Sequence, residues 1–346
     1  MKCINCGTEN NYKERVANYR RCKNCNHQFV FEPKLMYRNK FSDAFFAKII
    51  SDLSVNNSFK FTDKQLFYLL NKRLNKKLSM TVNPIFSIYF AYILVIIGIL
   101  SSQHTPGFLV KVAVVFMLFG GIAIDIYLKK KKIKKFVVTP EKFQDYLNSW
   151  KAVNPIDGIL TLSEQSLPAS MNPEITAYSF DRVVICDSAE IANLLIANNF
   201  HFENNSAVLS IDGYPENIFD TVMEMLRRND NLKVYVLHEA SQSGVSLVNS
   251  LSTNSDLFAI ISNSNITIYD IGLLPRQVFK NPNFFTQISE DSAREAQELL
   301  SQVKQDLTDK EIKWLEAGKF VELESFTPQR LLRVISQGIS KSRQSG

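Results

Sequence analysis

The sequence predicts a multi-domain chain with an N-terminal segment clasped around a metal, a two-helix transmembrane hairpin and an α/β parallel-sheet cytoplasmic domain. Three observations carry that expectation. Four of the five cysteines fall in the first 25 residues as two Cys-x-x-Cys pairs. Residues 85–102 and 108–128 are apolar runs separated by a five-residue link. From residue 180 onward, short apolar runs alternate with stretches of helical periodicity.

Cys3-x2-Cys6 is followed after 15 residues by Cys22-x2-Cys25. A Cys-x-x-Cys knuckle aims two thiolates at one point, and two knuckles complete a tetrahedral Zn²⁺ site. The spacing follows the zinc pattern rather than a disulfide framework. Gly7 suits the positive φ of such a turn, and Asn24 and Asn26 would serve similarly around Cys25. With all four positions taken by Cys3, Cys6, Cys22 and Cys25, no position stays open for water, so the expected zinc is structural. Residues 1–32 resemble the zinc ribbons of many bacterial membrane and DNA-associated proteins. His27 lies nearby but is read as exposed, four thiolates being sufficient.

Residues 41–80 read as two amphipathic helices. Phe45, Ile49, Ile50 and Leu53 recur at helical spacing, as do Leu66, Leu69, Leu70 and Leu74 after a break at 55–61. Thr62 or Asp63 would cap the second helix. Such a pair could be half of a winged-helix-like unit.

Each run of the hairpin, 84–128 overall, is long enough for a hydrocarbon core of about 30 Å, which takes roughly 20 helical residues. Neither has a charge near its middle; Lys111 and Asp125 lie close to the ends. Lys72, Arg73, Lys76 and Lys77 precede the hairpin, and Lys129–Lys132, Lys134 and Lys135 follow it, whereas 101–107 has no Lys or Arg. The positive-inside rule then puts both termini in the cytoplasm, as a two-pass integral protein, of the inner membrane if bacterial. The opening MKCINCG lacks an apolar stretch, so sorting is expected to rest on the hairpin.

The net charge of +6 hides a polarity. Residues 1–82 hold 16 basic and 6 acidic residues (+10), and 136–346 hold 17 and 27 (−10). Basic segments beside the hairpin suit anionic lipid, worth about 1 kcal/mol per cation near the surface. The acidic distal part disfavours nucleic acid as its partner.

Residues 134–178 form a connector: a helix begun by Pro140 with Phe143, Tyr146, Leu147 and Trp150 on one face, then a Pro-, Ser- and Asn-rich linker from 155. Candidate strands follow at 183–186, 207–211, 233–237, 257–261 and 266–269, with helices at 189–198, 215–228 and 244–251. This alternation indicates a parallel sheet of right-handed βαβ units. Cys186 belongs to its core. Sites in such sheets gather at the carboxyl ends of the strands. Those ends offer Asp187-Ser188, Asp212-Gly213 and His238-Glu239, and no glycine-rich phosphate loop follows the first strand. Helical spacing over 289–307 and a closing helix with Leu331, Leu332, Val334 and Ile335 end the pattern; the last eight residues are expected to fray.

Asp187, Glu239-Ala-Ser241-Gln-Ser-Gly244, Ile268-Tyr-Asp-Ile-Gly272-Leu-Leu-Pro275 and Glu322-Leu-Glu-Ser-Phe-Thr-Pro328 together resemble the Toprim domain, particularly that of the type VI topoisomerase A subunit, over about residues 179–340. The resemblance implies a proton-transfer Glu after the first strand and an Asp-x-Asp-x-x-Gly motif binding Mg²⁺ after the third. This chain has Asp187 at the first position, Glu239 and Ser241 at the second, and retains Gly244. Thr62-Asp-Lys-Gln-Leu-Phe-Tyr68 likewise resembles the Thr-x-Arg-x-Ile-Tyr-Tyr stretch of that family, which implies Tyr68 as the DNA-cleaving nucleophile; Lys64 and Phe67 depart from it.

A neutral Ser241 and a lengthened Glu239 suit Mg²⁺ poorly, so Mg²⁺ is not expected. His238 is the further candidate on this rim, as ligand or base. The expectation is a membrane-anchored, non-catalytic regulatory or binding protein that presents a degenerate Toprim-like domain to a protein partner or to a second copy of itself. One alternative is a metal-dependent nucleic-acid-cleaving enzyme using Tyr68 with Asp187 and Glu239. Another is a structural membrane scaffold.

Overall fold

The computed structural model describes residues 1–37, 39–81, 136–160, 180–229, 232–253, 266–281, 284–298 and 301–344. It divides into two units, Met1–Leu70 with Val138–Gly346, and Asn71–Val137. Among the described residues no helix is long and apolar enough to cross a membrane. The two predicted spans, 85–102 and 108–128, lie outside the described residues.

The first unit opens with two matching knuckles. Gly7 N–H donates to Cys3 O (2.9 Å) and Asn26 N–H to Cys22 O (3.0 Å). Gly7 (φ 74°) and Asn26 (φ 59°) supply the left-handed turn in each. Helix α1 (Tyr12–Ala17) lies between them, closed by a capping box of Asn11 and Glu14. Its Arg15 is buried and donates from Nε and Nη2 to the two Glu32 oxygens (2.8 and 3.0 Å) and from Nη1 to Asn10 O (2.6 Å). The bidentate pair pins the segment after the second knuckle to α1.

That segment carries Phe31 into an aromatic cluster with Phe41, Phe46, Tyr146 and Trp150. Helix α2 (Asp43–Ser54) starts there, capped by Ser42. Its first residue, Asp43, is buried and accepts Val30 N–H and Phe31 N–H (2.9 and 2.7 Å). Phe46, Ile49 and Leu53 form its buried face. Ile49 and Leu53 lie on the buried face as predicted, whereas Phe45 and Ile50 are only half-buried and Phe46 takes the inward place expected of Phe45.

After β1 (Phe61–Thr62), helix α3 (Asp63–Thr81) begins where Thr62 Oγ1 accepts Gln65 N–H (3.2 Å). Helix α4 (Pro140–Lys151), capped by Thr139 with Pro140 in its first turn, buries Phe143, Leu147 and Trp150. Rings of Phe67 and Phe143 and of Phe46 and Trp150 meet at 5.4 and 5.0 Å, and Gln144 Nε2 donates to Asp63 Oδ2. The helical segment and the connector are therefore one packed module. Strand β2 (Ile159–Leu160) pairs in parallel with β1. The predicted linker thus begins with an ordered pair of residues, while 161–179 lie outside the described residues.

The α/β part follows the predicted alternation: β3 (Arg182–Cys186), α5 (Ala189–Ala197), α6 (Phe200–Glu203), β4 (Ser206–Ser210), α7 (Glu216–Arg228), β5 (Lys233–Leu237), α8 (Gln242–Thr253) and β6 (Ile268–Asp270). The four strands form a parallel sheet of order β4-β3-β5-β6. All five residues of β3 and of β4 are buried, as expected of parallel strands covered on both faces. One core layer holds Val184, Cys186, Tyr235 and Leu237 with residues of α5. The other holds Val183, Ile185, Val234 and Val236 with residues of α7. The predicted strand at 257–261 lies outside the described residues.

The chain then runs through α9 (Pro275–Lys280), β7 (Gln287–Ile288), α10 (Glu290–Gln297), α11 (Ser301–Gln305), α12 (Asp309–Glu316), β8 (Lys319–Phe320), a 3₁₀ turn (Leu323–Ser325) and α13 (Pro328–Gln344). Two short helices stand in the range predicted as one. Leu331, Leu332, Ile335 and Ile339 pack α13 on the first core layer, whereas Val334 is 43% exposed. Burial of Ile339 extends the ordered helix into the segment expected to fray.

Candidate functional site

In the order β4-β3-β5-β6, the chain reverses direction of winding between β3 and β5. Open α/β sheets place ligands at such a crevice, outside the carboxyl ends of the strands. Asp187 leaves β3 at this point and His238-Glu239 leaves β5. The two are tied together by Glu239 N–H donating to Asp187 Oδ2 (2.6 Å).

An isolated antiparallel bridge, Ala240 with Val321, brings a further segment alongside. It delivers Glu322 and Glu324 to the same crevice, so the acidic group contains Asp187, Glu239, Glu322 and Glu324. Burial, then the charges of Asp187 and Glu322, push the Glu239 carboxyl up to about 8. Burial also lifts Glu324, to about 7, against the opposing pull of Lys64. Asp187 is raised by burial despite its bond from Glu239. Close carboxylates in a shielded site cannot all ionise, so the cluster retains protons near neutrality.

Helix α3 supplies the counter-groups. Lys64 Nζ lies 3.3 Å from Glu322 and 3.5 Å from Glu324. Tyr68 O–H donates to Glu322 Oε2 (2.6 Å) and accepts from Gln287 Nε2 (2.7 Å). Gln65 Nε2 donates to Phe326 O (3.1 Å), fixing α3 on the same loop. Tyr68 is 3% exposed. Burial, and then the Glu322 charge beside it, hold its phenol well above the ordinary value. A phenol in that setting gives up its proton with difficulty and is a poor nucleophile as it stands.

His238 is fully buried. Its Nδ1 faces the Glu239 carbonyl at 2.8 Å and its Nε2 faces Asp270 Oδ1 at 3.0 Å. Both partners can accept, which favours a proton on each ring nitrogen. Burial opposes that charge, but the Asp270 hydrogen bond and charge prevail and raise the pKa. With both nitrogens engaged in these hydrogen bonds, His238 is not placed to ligate a metal; it backs the acids. A Cβ at Gly272 would collide with this ring, which accounts for a glycine there.

Ser241 also has local work. Its Oγ accepts Gly244 N–H (3.0 Å) at the start of α8 and sits 3.0 Å from Ser243 Oγ. A Cβ at Gly244 would strike the Glu239 carbonyl. The glycine of the second motif is thus explained by packing alone. The structure brings Asp187, Glu239, Ser241, His238 and Tyr68 to one crevice. The residues that sequence reasoning left without a role there are Lys64, Asp270, Gln287, Glu322 and Glu324. Their separation in sequence, 258 positions between Lys64 and Glu322, gave no local signal.

At the other end of the chain, the sulfurs of Cys3, Cys6, Cys22 and Cys25 lie within 4.8 Å of one another. The Cys3–Cys25 and Cys6–Cys22 separations are both 3.6 Å. A tetrahedral ion with bonds of about 2.3 Å needs sulfurs about 3.8 Å apart, whereas a disulfide needs about 2.05 Å. The cluster can therefore hold a metal ion and is compatible with zinc. Asn10 Nδ2 donates to Cys22 Sγ at 3.4 Å, and Thr8 holds the Cys6 thiol down at about 5, both favouring thiolate. His27 is half-buried, with a shielded Nε2, rather than exposed, and stands outside the cluster.

Fold and clusters together define a parallel α/β protein with a four-cysteine cluster that can hold a metal ion. No known family model matches the sequence, and no curated protein is significantly similar to it.

Proposed function

We propose that the protein is a membrane-anchored, non-catalytic regulatory or binding protein whose Toprim-like domain is presented to the cytoplasm, with structural zinc held by Cys3, Cys6, Cys22 and Cys25. The observation that carries this reading is the internal compensation of the acidic crevice. Lys64 stands where a metal would supply positive charge, contacting both Glu322 and Glu324. His238 is paired with Asp270 behind the acids, and burial lifts Glu239 to about 8 and Glu324 to about 7, so both carry much of their proton near neutrality. A crevice whose negative charge is partly offset from within has less call for Mg²⁺, which favours ionised oxygens in near-octahedral array.

The test is Mg²⁺-dependent DNA cleavage or relaxation by the full chain in detergent. The reading expects neither; cleavage that disappears in Glu239→Ala would overturn it. One observation favours a second reading, a nucleic-acid-cleaving enzyme: the Tyr68 hydroxyl lies against this same cluster, 2.6 Å from Glu322. That reading requires a covalent tyrosyl–DNA adduct, abolished in Tyr68→Phe; repeated absence of the adduct from intact protein ends it.

A further inference from the structure

A second concave surface lies far in sequence from the acidic crevice, along the seam between the ribbon and α4. It is a groove of about 230 Å³ lined by the apolar Phe31, Leu35, Met36 and Tyr146, by the cations Arg20 and Lys142 and by the carboxylates Glu32 and Asp145. Glu32 is taken up by the buried Arg15, so the apolar floor with Arg20 and Lys142, set against the single exposed Asp145, complements a phospholipid's anionic head on an apolar stem.

The chain segment that supplies Arg20, Leu35 and Met36 is also rich in exposed apolar side chains. Val16, Tyr19, Leu35 and Tyr37 are 57%, 88%, 61% and 89% exposed. They are four of the seven large apolar side chains most exposed among the described residues, gathered within 22 positions. Tyr19 and Arg20 both adopt positive φ, forming a tight turn whose side chains reach outward. Phe29 N–H donates to Arg20 O, and Leu35 N–H donates to Glu32 O. These bonds set the Arg20 turn and the Leu35 turn on either side of the segment 29–32.

Charge follows the same pattern. Residues 1–40 contain nine basic and three acidic residues. Two of the acids are bound in ion pairs, Glu32 with Arg15 and Glu14 with Lys23. Within the groove, Asp145 lies 3.4 Å from Lys142; the pair is exposed and weakly held, so Lys142 is free to turn to another anion while the Asp145 charge remains beside it. Exposed tyrosines and aliphatics among cations are the composition of a membrane–water interface, where ring and polar tip sit at headgroup level.

We infer that this groove and its rim dock on the bilayer and seat an anionic phospholipid, the phosphate on Arg20 and Lys142 and the apolar part on Leu35, Met36 and Tyr146. The inference rests on the membrane-anchored reading and adds to it a contact made by the ribbon module itself. Charge alone would fit a nucleic acid equally; the exposed Val16 and Leu35 favour lipid, since aliphatic side chains gain from an acyl boundary and not from a phosphate backbone.

The experiment uses the full chain in lipid nanodiscs, with a Leu35→Trp variant read against the parent. Brominated acyl chains report depth, in phosphatidylcholine discs with and without phosphatidylglycerol. The added emission should shift to the blue and be quenched in the anionic discs. Arg20→Gln and Lys142→Gln should each weaken the docked state about five-fold. Emission indifferent to lipid charge and to bromine overturns the inference. So does a change produced by a single-stranded oligonucleotide and not by anionic lipid. Failure of the chain to enter discs at all counts against the anchored reading instead. Docking is then decided by flotation of the free chain with phosphatidylglycerol vesicles, where absence of flotation overturns it.

Discussion

At the scale of single residues, protons occupy the places that a metal would otherwise neutralise. Glu239, lifted to about 8, and Glu324, lifted to about 7, hold protons in the folded state that the unfolded chain releases near 4.5. The folded state therefore binds more protons, and stability falls as pH rises through those values. His238 acts in the same sense: its pKa is raised, so its contribution is full below its ordinary 6.5 and is lost above its folded value. Asp270, held low after its bond to His238 outweighs burial, acts oppositely and loses its contribution only in acid. The urea midpoint should consequently decline from about pH 5.5 to about pH 8.5, and Glu239→Gln should flatten that decline. A midpoint that rises over this interval contradicts the assignment. Tyr68→Phe removes the donor to Glu322 and the acceptor for Gln287. It should cost about 1–3 kcal/mol in denaturant unfolding.

The elements differ in how openly the sequence declared them. Arg15→Ala would strand Glu32 in a buried site, and a loss of about 3–5 kcal/mol is expected for breaking such a pair. Removing the metal with a chelator should release Phe31 from the ring of Trp150, stacked at 5.8 Å, and change the near-ultraviolet circular dichroism; an unchanged spectrum would show that the ribbon is held without it. The knuckles were legible because their chemistry is local: Cys-x-x-Cys followed by Gly7 or Asn26 specifies both ligands and turn within five residues. Strands β3 and β5 were legible because parallel strands buried on both faces read as unbroken apolar runs. The pair β1–β2 was not, since two residues a side have no period to detect. Phe45 and Ile50 misplaced the α2 stripe because Phe45 and Phe46 are adjacent and equally apolar; only the rings of Phe31, Phe41 and Trp150 decide which faces inward. The crevice was half legible. Asp187 and Glu239 close strands, where sites are sought, whereas Lys64, Tyr68 and Glu322 meet through tertiary contacts across more than 250 positions.

Across the whole chain, charge and chemistry divide in the same way. The basic N-terminal portion carries the cysteine cluster and the exposed apolar rim. The acidic C-terminal portion carries a crevice whose charge is partly offset from within. The expected hairpin separates their sequences, so the chain should remain with the membrane pellet after an alkaline carbonate wash; release into the supernatant contradicts the anchor. The crevice supplies part of its own counter-charge, from Lys64 and His238, which leaves less for a divalent ion to neutralise. The decisive measurement is titration of Mn²⁺ into the zinc-loaded full chain, followed by electron paramagnetic resonance. No saturable uptake is expected, with wild type and Glu239→Gln alike. A saturable site present in the wild type and lost in Glu239→Gln would contradict it.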